Sequence, residues 1–423
     1  MAAEEEDVPR LIALVGTGEL GELKKVLLTG ECGPVDVLDK NGMTPLQHGA
    51  YKGSVKTCQL LIDHGADVND INHDHRYSAL HFAALSGSTE CVQLLLKSGA
   101  RAYHTNSLGR TATQMAAFVG NHSVVAMINN FVKLEAIEYY TKPQGLETEP
   151  KLPPIAAKPL YDLIMQVNIH PVRIALTVGG CSMLKTHINP CSKVLELMAE
   201  KESKRPENVN EVICLKFHYL SYVLKTLEKE LNKTTENDKK PEEDKDILTF
   251  ESIIKKWIRG RASDGFEEHL DYYIRDAVKA FPYVEIPLFM QIVRNMHGAI
   301  GESCSLSTLI GAINGQRAFA DEYACSTCGD SNKQNKKCSK CKMVQYCNRN
   351  CQRLHWNTHK KFCAQLLKEY EKQLKRIEEE KKKDEEEKLK KEEDNKKKQD
   401  GETKMNENKI DDVVDGTENI SVS

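Results

Sequence analysis

Thr44-Pro-Leu-Gln-His-Gly-Ala50 returns as Ser78-Ala-Leu-His-Phe-Ala-Ala84 and again as Thr111-Ala-Thr-Gln-Met-Ala-Ala117, 34 and then 33 residues apart. A period of that size marks a stack, in which each unit buries its apolar face against its neighbours. The hydroxyls of Thr44, Ser78 and Thr111 suit helix N-caps, and Pro45 suits a first helical position. The small pairs Gly49-Ala50, Ala83-Ala84 and Ala116-Ala117 keep that first helix narrow, so neighbouring units can approach. Gly53, Gly87 and Gly120 follow it and permit the left-handed conformation that ends a helix. Second helices follow from Val55 and Cys91, and Gly65-Ala66 and Gly99-Ala100 close two of the units. An earlier pair, 11–14 and 20–28, has the helical pattern but no T-P-L-H counterpart, which suits an N-terminal cap.

This pattern resembles the ankyrin repeat. The resemblance implies a solenoid over residues 9–132, with a cap and three repeats near 43–72, 77–106 and 110–132. It also implies a partner protein held on a concave face of hairpin tips and inner helices. The tips are 39–42, 73–77 and 106–109. Each tip residue alone reads as a solvated turn, and the whole surface reads as a partner site. The family's histidine survives only as His81, with Gln47 and Gln114 in its place elsewhere. The turn His73–Tyr77 has one extra residue, and the third unit runs on through Met127 and Ile128 to Phe131 and Leu134 instead of closing at Gly-Ala. His73, Asp74 and His75 lack a partner ligand from another element, so they are not expected to bind metal.

A second stretch carries chemistry. Cys325 and Cys328, Cys338 and Cys341, Cys347 and Cys351, and His359 and Cys363 form four pairs from seven cysteines and one histidine. Four pairs supply two tetrahedral zinc ions with no position left for water, which excludes a zinc hydrolase. Spacing alone leaves sequential and alternating pairing open. With Gln352 and Trp356 added, the stretch 325–363 resembles the MYND zinc finger. That resemblance implies a cross-brace of two structural Zn²⁺ ions, Cys325, Cys328, Cys347 and Cys351 on one, Cys338, Cys341, His359 and Cys363 on the other. It further implies a groove for Pro-rich peptides at Gln352, Trp356 and Tyr346. Trp356 reads equally well as the small core of the finger, and His355 as a packing or hydrogen-bonding histidine. Some MYND proteins are methyltransferases, but Asn121-His122-Ser123 is the nearest approach to their N-H-S-C segment and lies in a repeat. No enzyme is expected.

The chain has 423 residues, 40% hydrophobic and 29% charged, with a net charge of −3 that gives no global basic field for nucleic acid. Between Ser331 and Lys361 there are nine Lys or Arg and no acid, read as balancing about three negative charges on the zinc sites. The start, MAAEEEDVPR, lacks the apolar core of a secretory signal, and no apolar run has the length of a membrane span. Cys32, Cys58, Cys91, Cys181, Cys191, Cys214 and Cys304 are scattered singly, as small buried hydrophobes in a reducing, cytoplasmic setting would be.

Between the two modules, the prolines of 143–159 predict an extended linker. It reads as a stiff spacer, but Pro150, Leu152 and Pro154 fit P-x-L-x-P and make it a candidate internal ligand for the finger. Apolar periodicity predicts helices across 160–320, begun in places by Pro171 and Pro287 and interrupted by a polar loop at 232–246. A charged helix is expected over 364–399, with disorder at 1–8 and 400–423. The fold expected is mainly α. This order of modules resembles a family of ankyrin-repeat and MYND-finger proteins, which implies a non-enzymatic adaptor moving membrane signalling proteins such as cyclases to the primary cilium. The residues themselves support a two-surface scaffold. The alternative is a nuclear transcriptional co-regulator whose finger binds Pro-Leu-Pro type peptides.

Overall fold

A computed structural model describes residues 9–31, 33–205, 209–235, 242–301, 304–314, 323–331 and 334–414. The chain divides into two packed units, Met1–Asn335 with Tyr346–Thr358, and Lys336–Gln345 with His359–Ser423.

The first unit begins with the stack. Inner helices Arg10–Thr17, Pro45–Tyr51, Ala79–Ser86 and Ala112–Phe118 pack in sequence order, as do outer helices Leu20–Thr29, Val55–Asp63, Thr89–Lys97 and His122–Asn129. Leu46, Ala50, Leu61, Ala83, Leu95 and Ala116 lie in the shared core. Each repeat opens with a reciprocal cap: Thr44 with Gln47, Ser78 with His81, Thr111 with Gln114.

The departures from the family pattern now have physical explanations. The Gln47 amide does what the histidine does in the next repeat. Its Oε1 accepts from the Thr44 amide at 3.1 Å, and its Nε2 donates to the carbonyls of Asp70 and Tyr77, both at 3.1 Å. His81 takes the Ser78 amide on Nδ1 at 3.3 Å, which leaves Nε2–H to donate to Arg110 O at 3.1 Å. Asp39 and Asn106 hold their turns through a side-chain oxygen, Asp39 taking the amides of Asn41 and Met43 and Asn106 those of Leu108 and Arg110. Asn106 is buried, so it is not the solvated turn residue expected. In the second repeat His73 Nδ1 accepts from the His75 amide, and the added residue is absorbed by Arg76 at φ +55°. His73 stacks on Tyr77 at 5.1 Å and meets Phe82 edge-on at 5.3 Å, a packing role.

Gly42 sits at φ +72°, and a Cβ there would lie 2.4 Å from Asn72 O. Gly109 has φ +70° in the third turn, with nothing within 4 Å of its Cβ position. Gly42→Ala is therefore expected to lower stability by about 3 kcal/mol in urea denaturation, and Gly109→Ala by about 1 kcal/mol. Equal losses would remove the Asn72 contact as the cause.

Burial pushes the His81 imidazolium down to about 4, so the folded protein holds it neutral. The unfolded chain takes up that proton near 6.5, and stability should fall by about 3 kcal/mol as pH drops from about 6.5 to about 4. His81→Gln, copying Gln47, should flatten that part of a stability-against-pH curve measured by urea titration.

A helical region follows the stack in the same unit, and its helices include Pro171–Gly180, Ile188–Ser203, Glu211–Thr235, Glu242–Trp257, Glu268–Lys279, Pro287–Asn295 and Ser305–Asn314. Ser305–Asn314 packs on the last outer helix of the stack. Asn130 Nδ2 donates to Ile313 O at 2.9 Å, and Asn210 Nδ2 to Asn129 O at 2.8 Å. The end of a solenoid must be covered, and here the helical region covers it.

Four expectations are corrected. The linker is not extended throughout, because a helix runs Pro154–Met165. Pro154 takes the first helical position, where no amide is required. Pro159 forfeits one bond within the helix, which buried Ala156, Ala157, Leu160 and Leu163 anchor. Helices cover 232–235 and 242–246 of the expected polar loop, reaching Thr235 and restarting at Glu242, and 236–241 lie outside the described residues. Glu and Lys are good helix formers, so polarity alone did not end these helices. The last helix runs Arg349–Val414 without a break, past the expected end at 399, and no proline follows Pro287 to interrupt it. Cys304 is exposed, whereas Cys58, Cys91, Cys191 and Cys214 are buried. Residues 1–8, 415–423 and Cys32 lie outside the described residues.

Candidate metal centre

The structure gathers the eight ligand residues as two clusters. Cys325, Cys328, Cys347 and Cys351 lie in the first unit, and Cys338, Cys341, His359 and Cys363 in the second, their ligand atoms within 4.8 Å of one another in each. The pairing alternates along the chain.

Local backbone chemistry aims each pair. In the first knuckle the Cys325 amide donates to Asp330 O at 3.0 Å and the Gly329 amide to Cys325 O at 2.8 Å, with Gly329 at φ +68°. In the second knuckle the Cys338 amide donates to Val344 O at 2.8 Å and the Lys342 amide to Cys338 O at 3.1 Å, with Lys342 at φ +60°. Both loops need a left-handed residue just after the second cysteine, and one of them uses a lysine. Asn348 caps the long helix, its Oδ1 taking the Cys351 amide at 2.9 Å. Cys351 thus sits on the first turn, where the helix dipole favours a thiolate. His359 and Cys363 are four apart on the same helix and share a face.

A tetrahedral zinc with bonds of about 2.3 Å to sulfur sets sulfur–sulfur edges of about 3.8 Å. The Sγ separations are 3.7 Å for Cys328–Cys347, 3.5 Å for Cys347–Cys351 and 3.7 Å for Cys351–Cys328. In the second cluster His359 Nε2 lies 3.8 Å from Cys341 Sγ and 3.4 Å from Cys338 Sγ. The donors fit two structural zinc ions, one on four thiolates and one on three thiolates and an imidazole. Among the described residues no further cluster of this kind occurs, and His73, Asp74 and His75 do not form one.

The expected groove residues divide. Gln352 is exposed and Trp356 is 48% exposed, four apart on the helix. Tyr346 is buried instead, its hydroxyl 3.0 Å from His355 Nδ1, because its phenol finds both an apolar setting and a polar partner inside. His355 is outside both metal clusters. Leu152, the centre of the candidate internal ligand, is fully buried, and its amide donates to Tyr140 O at 3.0 Å. Freeing that side chain for a groove would cost about 2 kcal/mol of burial, which opposes the 150–154 segment acting as an internal ligand.

No sequence motif marks the seating of the first knuckle on the helical region. Asn168 Nδ2 donates to Cys328 O at 2.9 Å, across 160 residues of chain. A Cβ at Gly329 would touch His170 at 3.4 Å. Thr358 Oγ1 donates to Ile258 O at 2.9 Å, and Arg353 forms a two-pronged pair with Glu251, holding that carboxyl below its usual range. Such partners, about a hundred residues away or more, leave no local pattern to read.

Comparison with known proteins agrees with both modules. Ankyrin repeats, in three copies, match residues 11–106 and 70–136, and the MYND finger matches 325–363. Palmitoyltransferase ZDHHC17 of Homo sapiens is 37% identical over 104 residues, 24% of this chain and 16% of the relative. Ankyrin repeat and SOCS box protein 3 of Homo sapiens is 38% identical over 85 residues, 20% of this chain and 16% of the relative. Such short matches reflect repeats and carry no catalysis across. Dauer abnormal formation protein 25 of Caenorhabditis elegans is 32% identical over 338 residues, 79% of this chain and 84% of the relative. The chain therefore belongs to the family of ankyrin-repeat and MYND-finger proteins that includes this relative.

Proposed function

We propose that the protein is a non-enzymatic adaptor with two partner surfaces, working in the delivery of membrane signalling proteins, cyclases among them, to the primary cilium. Ankyrin repeats and MYND fingers are both protein-interaction modules. The observation that carries the reading is the placement of large apolar side chains left uncovered on each. Tyr51 and Phe118, at the ends of inner helices, are 58% and 74% exposed, and Leu108 at the third tip is 73% exposed. Trp356 stands exposed beside Gln352 on the finger. A proline-rich peptide would lay a ring on the indole while the Gln352 amide bonds its backbone. Cys325, Cys328, Cys347 and Cys351 would hold one zinc and Cys338, Cys341, His359 and Cys363 the other, fixing the helix that presents this pair. The cilium and the cyclases rest on family resemblance alone, and no helix among the described residues is long and apolar enough to cross a membrane.

The finger surface can be tested in the whole chain by fluorescence. Trp257 is 4% exposed and Trp356 48%, so a Pro-Leu-Pro peptide should change the emission of one indole. The change should saturate and vanish in Trp356→Phe. No change in the wild type would remove the peptide-groove reading.

A further inference from the structure

We propose that the second zinc-holding unit of the finger docks on an anionic lipid bilayer. Lys336, Lys337, Lys340, Lys342, Lys360 and Lys361 are all exposed, and no acid occurs in 336–345 or 359–368. None of the six makes an ion pair among the described residues. A zinc on three thiolates and a neutral imidazole carries about one negative charge, so neutralising it occupies about one lysine and leaves a strong surplus. Arg353, from the same basic run, is already paired with Glu251.

The surface has an apolar tip as well as charge. Met343 is 36% exposed in the turn after Lys342, whose φ of +60° sets the loop and whose neighbour Cys341 belongs to the metal cluster. A rigid turn with a thioether between ammonium groups suits the bilayer interface, where lysines meet headgroup phosphates and the thioether enters the acyl boundary. Single-stranded nucleic acid would call for stacking rings. These segments carry neither Tyr nor Trp, and Phe362 is half-buried.

The inference rests on the second zinc being held as proposed, so zinc content is measured beside binding. The full chain is sedimented with vesicles of phosphatidylcholine, with or without phosphatidylserine. It should bind only those containing phosphatidylserine, release as salt rises, and stay bound in inorganic phosphate at constant ionic strength. At about a tenfold fall in partitioning for each two-thirds of a lysine pair's contribution, Lys340→Gln with Lys342→Gln should weaken binding about thirtyfold. Lys336→Gln with Lys337→Gln should act similarly, and Met343→Ser should weaken binding severalfold, all with zinc content unchanged. Equal binding to both vesicles, no effect of either lysine pair at intact zinc content, or tighter binding to a DNA duplex than to the vesicles would overturn the inference. Loss of zinc from the wild type would instead strike the metal reading.

Discussion

Replacing Cys351 by Ser should lower bound zinc from about two ions per chain to about one and should also destabilise the helical region. Structural zinc in small fingers is held by about 10–16 kcal/mol, and that binding energy is folding energy. Cys351 shares its cluster with Cys325, Cys328 and Cys347, within the unit that contains the helical region. Without the ion, the first knuckle loses what positions Cys328 O for Asn168 and the helix that carries Arg353 toward Glu251. Cys341→Ser should likewise remove one zinc, but its cluster belongs to the other unit. The melting transition of the helical region should therefore move for Cys351→Ser and stay in place for Cys341→Ser. Metal analysis with calorimetry reads both quantities, and equal shifts would contradict the assignment of the clusters to separate units.

Asp271→Ala should cost about 3–5 kcal/mol, the usual loss when one partner of a buried pair is removed. The Asp271 side chain is 2% exposed, with one oxygen 2.9 Å from Arg275 Nε and the other accepting the Ser305 amide at 2.9 Å. Arg275 also donates to the carbonyls of Met296 and Gly298. Truncation leaves a guanidinium only 13% exposed without its carboxylate and uncaps Ser305–Asn314, the helix that covers the end of the ankyrin stack. Asp271→Leu with Arg275→Met should lose less than Asp271→Ala in urea denaturation, since no charge is stranded. A double variant as unstable as the single would show that the Ser305 bond, rather than the ion pair, dominates.

How far the sequence could be read depended on how local each determinant was. Repeats declared themselves because capping, narrow helices and closing glycines recur at fixed offsets from Thr44, Ser78 and Thr111. The metal clusters were legible because ligand pairs sit two or three residues apart. Their alternation came from family resemblance, and the structure shows the same sets. Composition misled where packing decided. By composition Pro154 and Pro159 read as spacer residues, but buried Ala156, Ala157 and Leu160 anchor that segment as a helix. Leu152 fits the centre of a P-x-L-x-P motif and is interior. The seat of the first knuckle on Asn168, and of the long helix on Glu251 and Ile258, joins distant segments and has no sequence periodicity at all.

In the proposed adaptor the ankyrin stack and the finger present separate partner surfaces on one chain. Proximity labelling in ciliated cells with wild type, Phe118→Asp and Trp356→Ala separates the two surfaces, once each variant is shown to keep its melting temperature and its zinc. Each substitution should remove its own subset of labelled neighbours and leave the other subset in place. If neither substitution removes any neighbour, the two-surface adaptor is contradicted.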